Sequence, residues 1–152
     1  MTVLLGSSGV CWSADFQKGM DALDRGDYAT ALKEWTPLAE QGDASAQVYL
    51  GVMYEEGLGV PQDYQTAVKW YTLAAEQGNA FAQYGLGFMY GKGQGVPQDF
   101  VRAHMWLNLS ASTGEEQAIR NRDFVAKRMT PSQIEEAQKL SRECAAKNYK
   151  GC

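Results

Sequence analysis

The sequence predicts an all-α fold, a solenoid of stacked helix pairs closed by a C-terminal helical cap. Three observations carry that expectation. The segment DASAQVYLGVMYEEGLGVPQDYQTAVKWYTLAAEQG, Asp43 to Gly78, is followed directly by NAFAQYGLGFMYGKGQGVPQDFVRAHMWLNLSASTG, Asn79 to Gly114, and about half of the positions coincide. Each copy reads as two helices around a glycine-rich turn. A period of this length marks a supersecondary unit that buries its apolar face only against its neighbours. Composition agrees, since 152 residues with 45% hydrophobic and 21% charged side chains suffice for one packed domain.

Residues 1–14, MTVLLGSSGVCWSA, read as a possible signal-peptide remnant: a short apolar core and small residues end at Ala14, just before a polar, helix-forming run. The leader is imperfect. It lacks a basic start, its apolar core is cut to Val3-Leu4-Leu5, and bulky Trp12 sits where cleavage after Ala14 requires a small residue. Cys11 follows Ser8-Gly9-Val10, a poor match to a lipidation site. Residues 15–42 form a shorter unit with Gly19 and Gly26, in which GDY leads into Ala31.

In the two longer units, 43–78 and 79–114, Asp43 and Asn79 are placed to cap the first helix. Gly57 and Gly93 suit the left-handed position that ends it. Pro61 and Pro97 prevent continuation, and Asp63 and Asp99 open the second helix. The glycine pair of GLGVPQDY and GQGVPQDF is spaced like a nucleotide-cradling loop, but such a loop needs a preceding strand and a third glycine. Here a helix precedes, and Gln62 and Gln98 take the third place, so the segment is expected to turn the chain.

Beyond Gly114 the repeat pattern changes. Residues 115–152 read as one helix, EEQAIRNRDFVAKRM, and a second opened by TPSQ, with Thr130 as N-cap, Pro131 at the first helical position and Gln133 closing a capping box. Such a pair would cover the apolar face that the last repeat otherwise leaves in water. For the terminal CAAKNYKGC two readings stay open. Cys144 and Cys152 form a disulfide, with Gly151 permitting the turn and an oxidising compartment implied, or both remain free thiols at a frayed tail. Their spacing is not that of a metal site, and no cofactor is expected.

The pattern A-x-A-Q-x-x-L-G-x-M-Y-x-x-G-x-G-V-P-Q-D-[YF]-x-x-A-x-x-W of Asp43 to Gly114 resembles the Sel-one-like repeat, and residues 15–42 are similar to its shorter relative, the tetratricopeptide repeat. The resemblance implies a right-handed superhelical solenoid whose first helices line the concave surface. Some secreted proteins with this repeat bind or hydrolyse penicillin, which makes a cell-wall-fragment or penicillin-binding protein with weak hydrolase activity the alternative reading. Those relatives carry a cysteine pair inside each repeat, and the corresponding positions here hold none.

Comparing the two copies separates core from candidate surface. Held fixed are Ala46/Ala82, Leu50/Leu86, Gly51/Gly87, Met53/Met89, Tyr54/Tyr90, Ala67/Ala103, Trp70/Trp106 and Leu73/Leu109, small residues alternating with bulky ones, as close helix packing requires. On the first helices Ser45, Val48, Val52, Glu55 and Glu56 become Phe81, Tyr84, Phe88, Gly91 and Lys92. Phe81, Tyr84 and Phe88 share one helical face. Aligning Gly19 with Gly51 and Gly87 adds Phe16 and Met20 as an earlier rung. These seven residues, Phe16, Met20, Val48, Val52, Phe81, Tyr84 and Phe88, are the candidate concave binding surface. The competing expectation is that Tyr84 and Phe88 pack against the helix from Glu115 to Met129.

No catalytic motif is present. The only histidine, His104, lies within an apolar helix, and the acid pairs Glu55-Glu56, Glu115-Glu116 and Glu135-Glu136 diverge by ~100° on a helix. A net charge of −4 opposes a nucleic-acid partner, and no apolar run approaches the ~20 residues needed to span a bilayer. The sequence therefore points to a periplasmic or secreted, non-catalytic adaptor for a protein or peptide, of undetermined oligomeric state.

Overall fold

The computed structural model describes residues 15–152; the leader reading, Cys11 included, lies outside them. Among the described residues the chain is all helix: α1 Phe16–Asp24, α2 Tyr28–Glu40, α3 Ala44–Glu56, α4 Tyr64–Ala75, α5 Ala80–Lys92, α6 Phe100–Ala111, α7 Glu116–Ala126 and α8 Pro131–Ala146. Consecutive helices pack on one another from α1 through α7, while α8 returns to lie against α6.

The local chemistry follows the expected caps. Asp43 and Asn79 side chains accept from the Ala46 and Ala82 N–H groups at 2.8 and 3.0 Å. Gly57 and Gly93 end α3 and α5 with φ of 71° in each. The following loop then turns back onto the helix it leaves. The Asp63 and Asp99 N–H groups donate to the Tyr54 and Tyr90 carbonyls at 2.9 and 3.0 Å. The Gln62 and Gln98 side-chain amides donate to the carbonyls of Glu55 and Gly91 at 2.8 and 2.9 Å. The glutamine in the third-glycine place thus satisfies a carbonyl in the helix's last turn, which otherwise has no intrahelical partner. The loop is a chain turn tied back onto the helix it leaves.

Each helix pair closes on a glycine. A Cβ on Gly51 would lie 2.5 Å from the Tyr71 ring, and one on Gly87 would lie 2.5 Å from Leu107 Cγ; Gly19 meets the Trp35 indole in the same way. Trp35, Tyr71 and Leu107 are successive equivalents along the repeat, so one bulky side chain per pair seats over a bare helix surface. Gln47 and Gln83, both buried, donate to the Ala39 and Ala75 carbonyls across each junction.

Most of the positions held fixed between copies are core: Ala46, Leu50, Met53, Ala67, Ala82, Leu86, Met89 and Ala103 are each at most 1% exposed. Tyr54 and Tyr90 are only half-buried in both copies, and two further pairs differ between the copies. Trp106 and Leu109 are buried, whereas Trp70 is half-buried and Leu73 is 46% exposed. The cause is α8, which lies across α6 so that Leu140, Tyr149 and Cys152 join the cluster holding Trp106 and Leu109. No such helix covers α4 among the described residues.

The tail is closed by a Cys144–Cys152 disulfide with a Cα–Cα distance of 5.6 Å, the first of the two readings of CAAKNYKGC. The turn is made by Asn148 and Tyr149 at φ 51° and 65° as well as by Gly151. Tyr149 packs over Gly78, and the Gly151 N–H donates to Glu76 at 3.1 Å, clamping the tail onto the α4–α5 turn.

The spacing of the repeat also outlasts its sequence pattern. Shifting α5 by the same 36 residues places Ala82 on Ala118, Phe88 on Phe124, Met89 on Val125 and Lys92 on Arg128. Ala118 and Val125 are buried against the array, as their counterparts are. In packing, α7 therefore stands where the first helix of a further unit would, while α8 departs from the repeat by lying against α6 instead of α7.

Candidate functional site

Five of the seven candidate residues, Val48, Val52, Phe81, Tyr84 and Phe88, line one cleft of about 340 Å³ between α3 and α5, together with Glu55, Glu56 and Tyr71. Phe81 stands at 69% exposure. Phe16 and Met20 lie apart from the cleft lining. Phe16 packs on Trp35 and Tyr49 with ring centroids 5.8 and 5.7 Å away, and Met20 is half-buried in that cluster. They are drawn instead into the cluster around Trp35 of α2, on which Tyr49 of α3 stacks at 4.6 Å.

Tyr84 is shared between the two expectations. It lines the cleft, yet its hydroxyl accepts from Asn121 Nδ2 of α7 at 2.9 Å and its ring packs beside Leu107 and Val125. Phe88 lies at a divide. It borders both the cleft and a second cavity of about 370 Å³ between α5, α6 and α7, where Lys92, Asn121, Phe124 and Arg128 stand.

The two cavities differ in charge. In the first, Glu55 accepts from the Tyr71 hydroxyl at 2.6 Å. Burial pushes the Glu55 carboxyl above its ordinary range, the Tyr71 hydrogen bond opposing and the neighbouring Glu56 reinforcing the shift. The Tyr71 phenol is also pushed up, chiefly by burial. In the second cavity, Lys92 lies 5.6 Å from the Phe88 ring centroid and the Arg128 guanidinium 4.0 Å from that of Phe124.

His104 belongs to neither cavity. It is a packed residue of α6, and burial together with Arg122 holds its imidazole below the ordinary histidine range. Among the described residues no three His, Cys, Asp or Glu side chains gather as a metal-ligand set. Sequence reasoning missed Phe124 and Arg128 as surface residues. Their signal was the 36-residue shift from Phe88 and Lys92, hidden because few other identities persist in α7.

Helix pairs stacked at a constant period, with glycine-seated packing and a capped end, define an α/α solenoid repeat protein. Residues 44–79 and 80–114 match the Sel1 repeat, so the chain carries two Sel1 repeats. Its structure is similar to that of a protective antigen present in uropathogenic Escherichia coli strains and displaying an SLR fold, with 30% identity, a TM-score of 0.82, and coverage of 86% of this chain and 29% of that one. It is also similar to a Sel1 repeat protein from Oxalobacter formigenes, with 29% identity, a TM-score of 0.72, and coverage of 88% of this chain and 56% of the other. The chain thus spans about a third and about half of these two structures. No curated protein matches it.

Sel1 repeats generally serve as protein-interaction scaffolds. No helix among the described residues is long and apolar enough to cross a membrane, and the bonded cysteine pair is compatible with a place outside the cytoplasm.

Proposed function

We propose that the protein is a non-catalytic adaptor that holds a protein or peptide segment on the concave face of its solenoid, in the cleft lined by Val48, Val52, Phe81, Tyr84 and Phe88. The observation that carries this reading is the exposure of Phe81, 69%, at an apolar cleft that Phe88 joins to a second cavity. A large apolar ring left in water beside other apolar side chains marks a contact surface. Because the helix pairs hold the cleft in place before binding, the receptor loses little ordering entropy when a partner seats. The Cys144–Cys152 bond supports a periplasmic or secreted location.

Photo-crosslinking from position 81, in the full chain against an envelope extract, tests the reading. Adducts that form in wild-type context and vanish on adding Val52→Ser and Phe88→Ser support the cleft. Adducts that persist in that variant, with its thermal unfolding unchanged, overturn it. Tyr84 is left intact because its removal would also break the contact with Asn121.

A further inference from the structure

The chemistry of the occupant is written along one edge of the same surface, and the argument rests on the cleft being the binding face. Val52, Phe88 and Phe124 are successive equivalents at 36-residue spacing, and four residues after each stand Glu56, Lys92 and Arg128. The glycine alignment of the shorter first unit adds Asp24 ahead of them. The edge therefore runs acid, acid, cation, cation from α1 to α7, and all four side chains are exposed.

The two cations are unlike the arginines of α6 and α7. Arg102, Arg120 and Arg122 each pair with a carboxylate, of Asp99, Glu116 and Asp123. Lys92 and Arg128 instead lie over the rings of Phe88 and Phe124 and line one cavity with them. They have no carboxylate partner there. Two unpaired cations with an aromatic ring beneath each present a positive rim over an apolar floor.

We infer that this end of the groove takes a linear peptide segment of the partner in which an aspartate or glutamate adjoins an aromatic or branched aliphatic residue. The carboxylate sits between Lys92 and Arg128 and the apolar neighbour on Phe88 and Phe124. Charge complementarity selects this occupant. A carboxylate answers both cations with charge-assisted hydrogen bonds, while a basic residue here would add a third like charge. The acidic rungs at Asp24 and Glu56 exclude a continuous polyanion, since nucleic acid laid along the groove would meet them within the same surface. They favour a peptide whose basic residues lie toward α1, and so set its direction.

The test pans the full chain against a library of random linear peptides and titrates the enriched peptides by fluorescence anisotropy. The expected motif is an acidic residue beside an apolar one. Lys92→Gln with Arg128→Gln weakens those peptides by about tenfold or more, and Lys92→Glu with Arg128→Glu moves enrichment toward basic peptides. Added salt weakens wild-type binding and barely affects the Gln variant. All of these side chains are exposed, and unchanged thermal unfolding confirms that each variant is folded. Peptides without an acidic bias, or with equal affinity for the Gln variant, overturn the inference. If such peptides still lose affinity with Phe81→Ser, the cleft survives and only its charge selectivity falls. Binding indifferent to both sets of changes, or no enrichment at all, overturns both.

Discussion

Two glycines of α5 illustrate how the environment of a single residue sets the sign of a substitution. A Cβ on Gly87 would drive into Leu107 Cγ at 2.5 Å, with the Ala103 carbonyl at 3.1 Å behind it. Gly87→Ala should destabilise the protein by about 1–3 kcal/mol in urea unfolding. At Gly91 the nearest side-chain atoms would be 3.8 and 3.9 Å away, an ordinary contact distance. Gly91→Ala should stabilise by about 0.5–1 kcal/mol, because it removes glycine's backbone entropy from a helix. Equal effects at the two sites would show that α5 and α6 are not in the close contact described.

His104 makes a separate prediction at this scale. Burial and Arg122 hold its imidazole below the ordinary value, Asp123 opposing, and Nδ1 is buried without a hydrogen-bond partner. A folded-state value depressed below the unfolded ~6.5 means that the unfolded chain binds the proton more readily. The stability His104 contributes is thus present above the unfolded value of ~6.5 and is lost as pH falls from there through the depressed folded-state value. It is the chain's only histidine, so His104→Leu should flatten the change in melting temperature between neutral pH and pH ~5.5. An unchanged slope would show that the imidazole is not the buried group described.

At the scale of elements, the C-terminal helix and its tail decide how equivalent positions fare. Trp106 is 3% exposed beneath α8, whereas its counterpart Trp70 remains half-buried. Trp106→Ala should cost on the order of 3–5 kcal/mol, and Trp70→Ala clearly less, by the same urea measurement. The tail is bound by its own chemistry. Tyr149 holds a left-handed backbone conformation that a bulky residue adopts only at some cost, and it is kept there by the Cys144–Cys152 bond and by its packing over Gly78. Reduction, or Cys152→Ser, should lower stability by about 2 kcal/mol. Added reductant should have no further effect on the Cys152→Ser protein.

Across the whole molecule, the helices form a short array in which each pair contacts the next and α8 folds back onto α6. Short arrays depend on their ends, since an uncovered terminal repeat leaves apolar surface in water. Ending the chain at Met129 would uncover Met105, Trp106 and Leu109, and the truncated protein should bind an apolar dye and melt well below the full chain. Charge is unevenly spread along the first-helix edge, where Asp24 and Glu56 give way to Lys92 and Arg128. That polarity gives the array a direction in which a partner would lie.

The amino-acid sequence by itself determined the elements whose causes are local. Asp43 and Asn79 cap the helix they begin, Gly57 and Gly93 end it, Gln62 and Gln98 tie the turn back, and Thr130 with Gln133 opens α8, because each interaction spans only a few residues. The period of the repeat fixed which faces pack, because duplication displays the same requirement twice. Only the tertiary structure decided which of two identical residues is buried, as with Leu73 and Leu109, and that Tyr84 both lines the cleft and reaches Asn121. Those outcomes depend on where α7 and α8 come to rest. Burial is a property of what lies on the far side of a side chain, and at Leu73, Leu109 and Tyr84 that neighbour is distant in sequence.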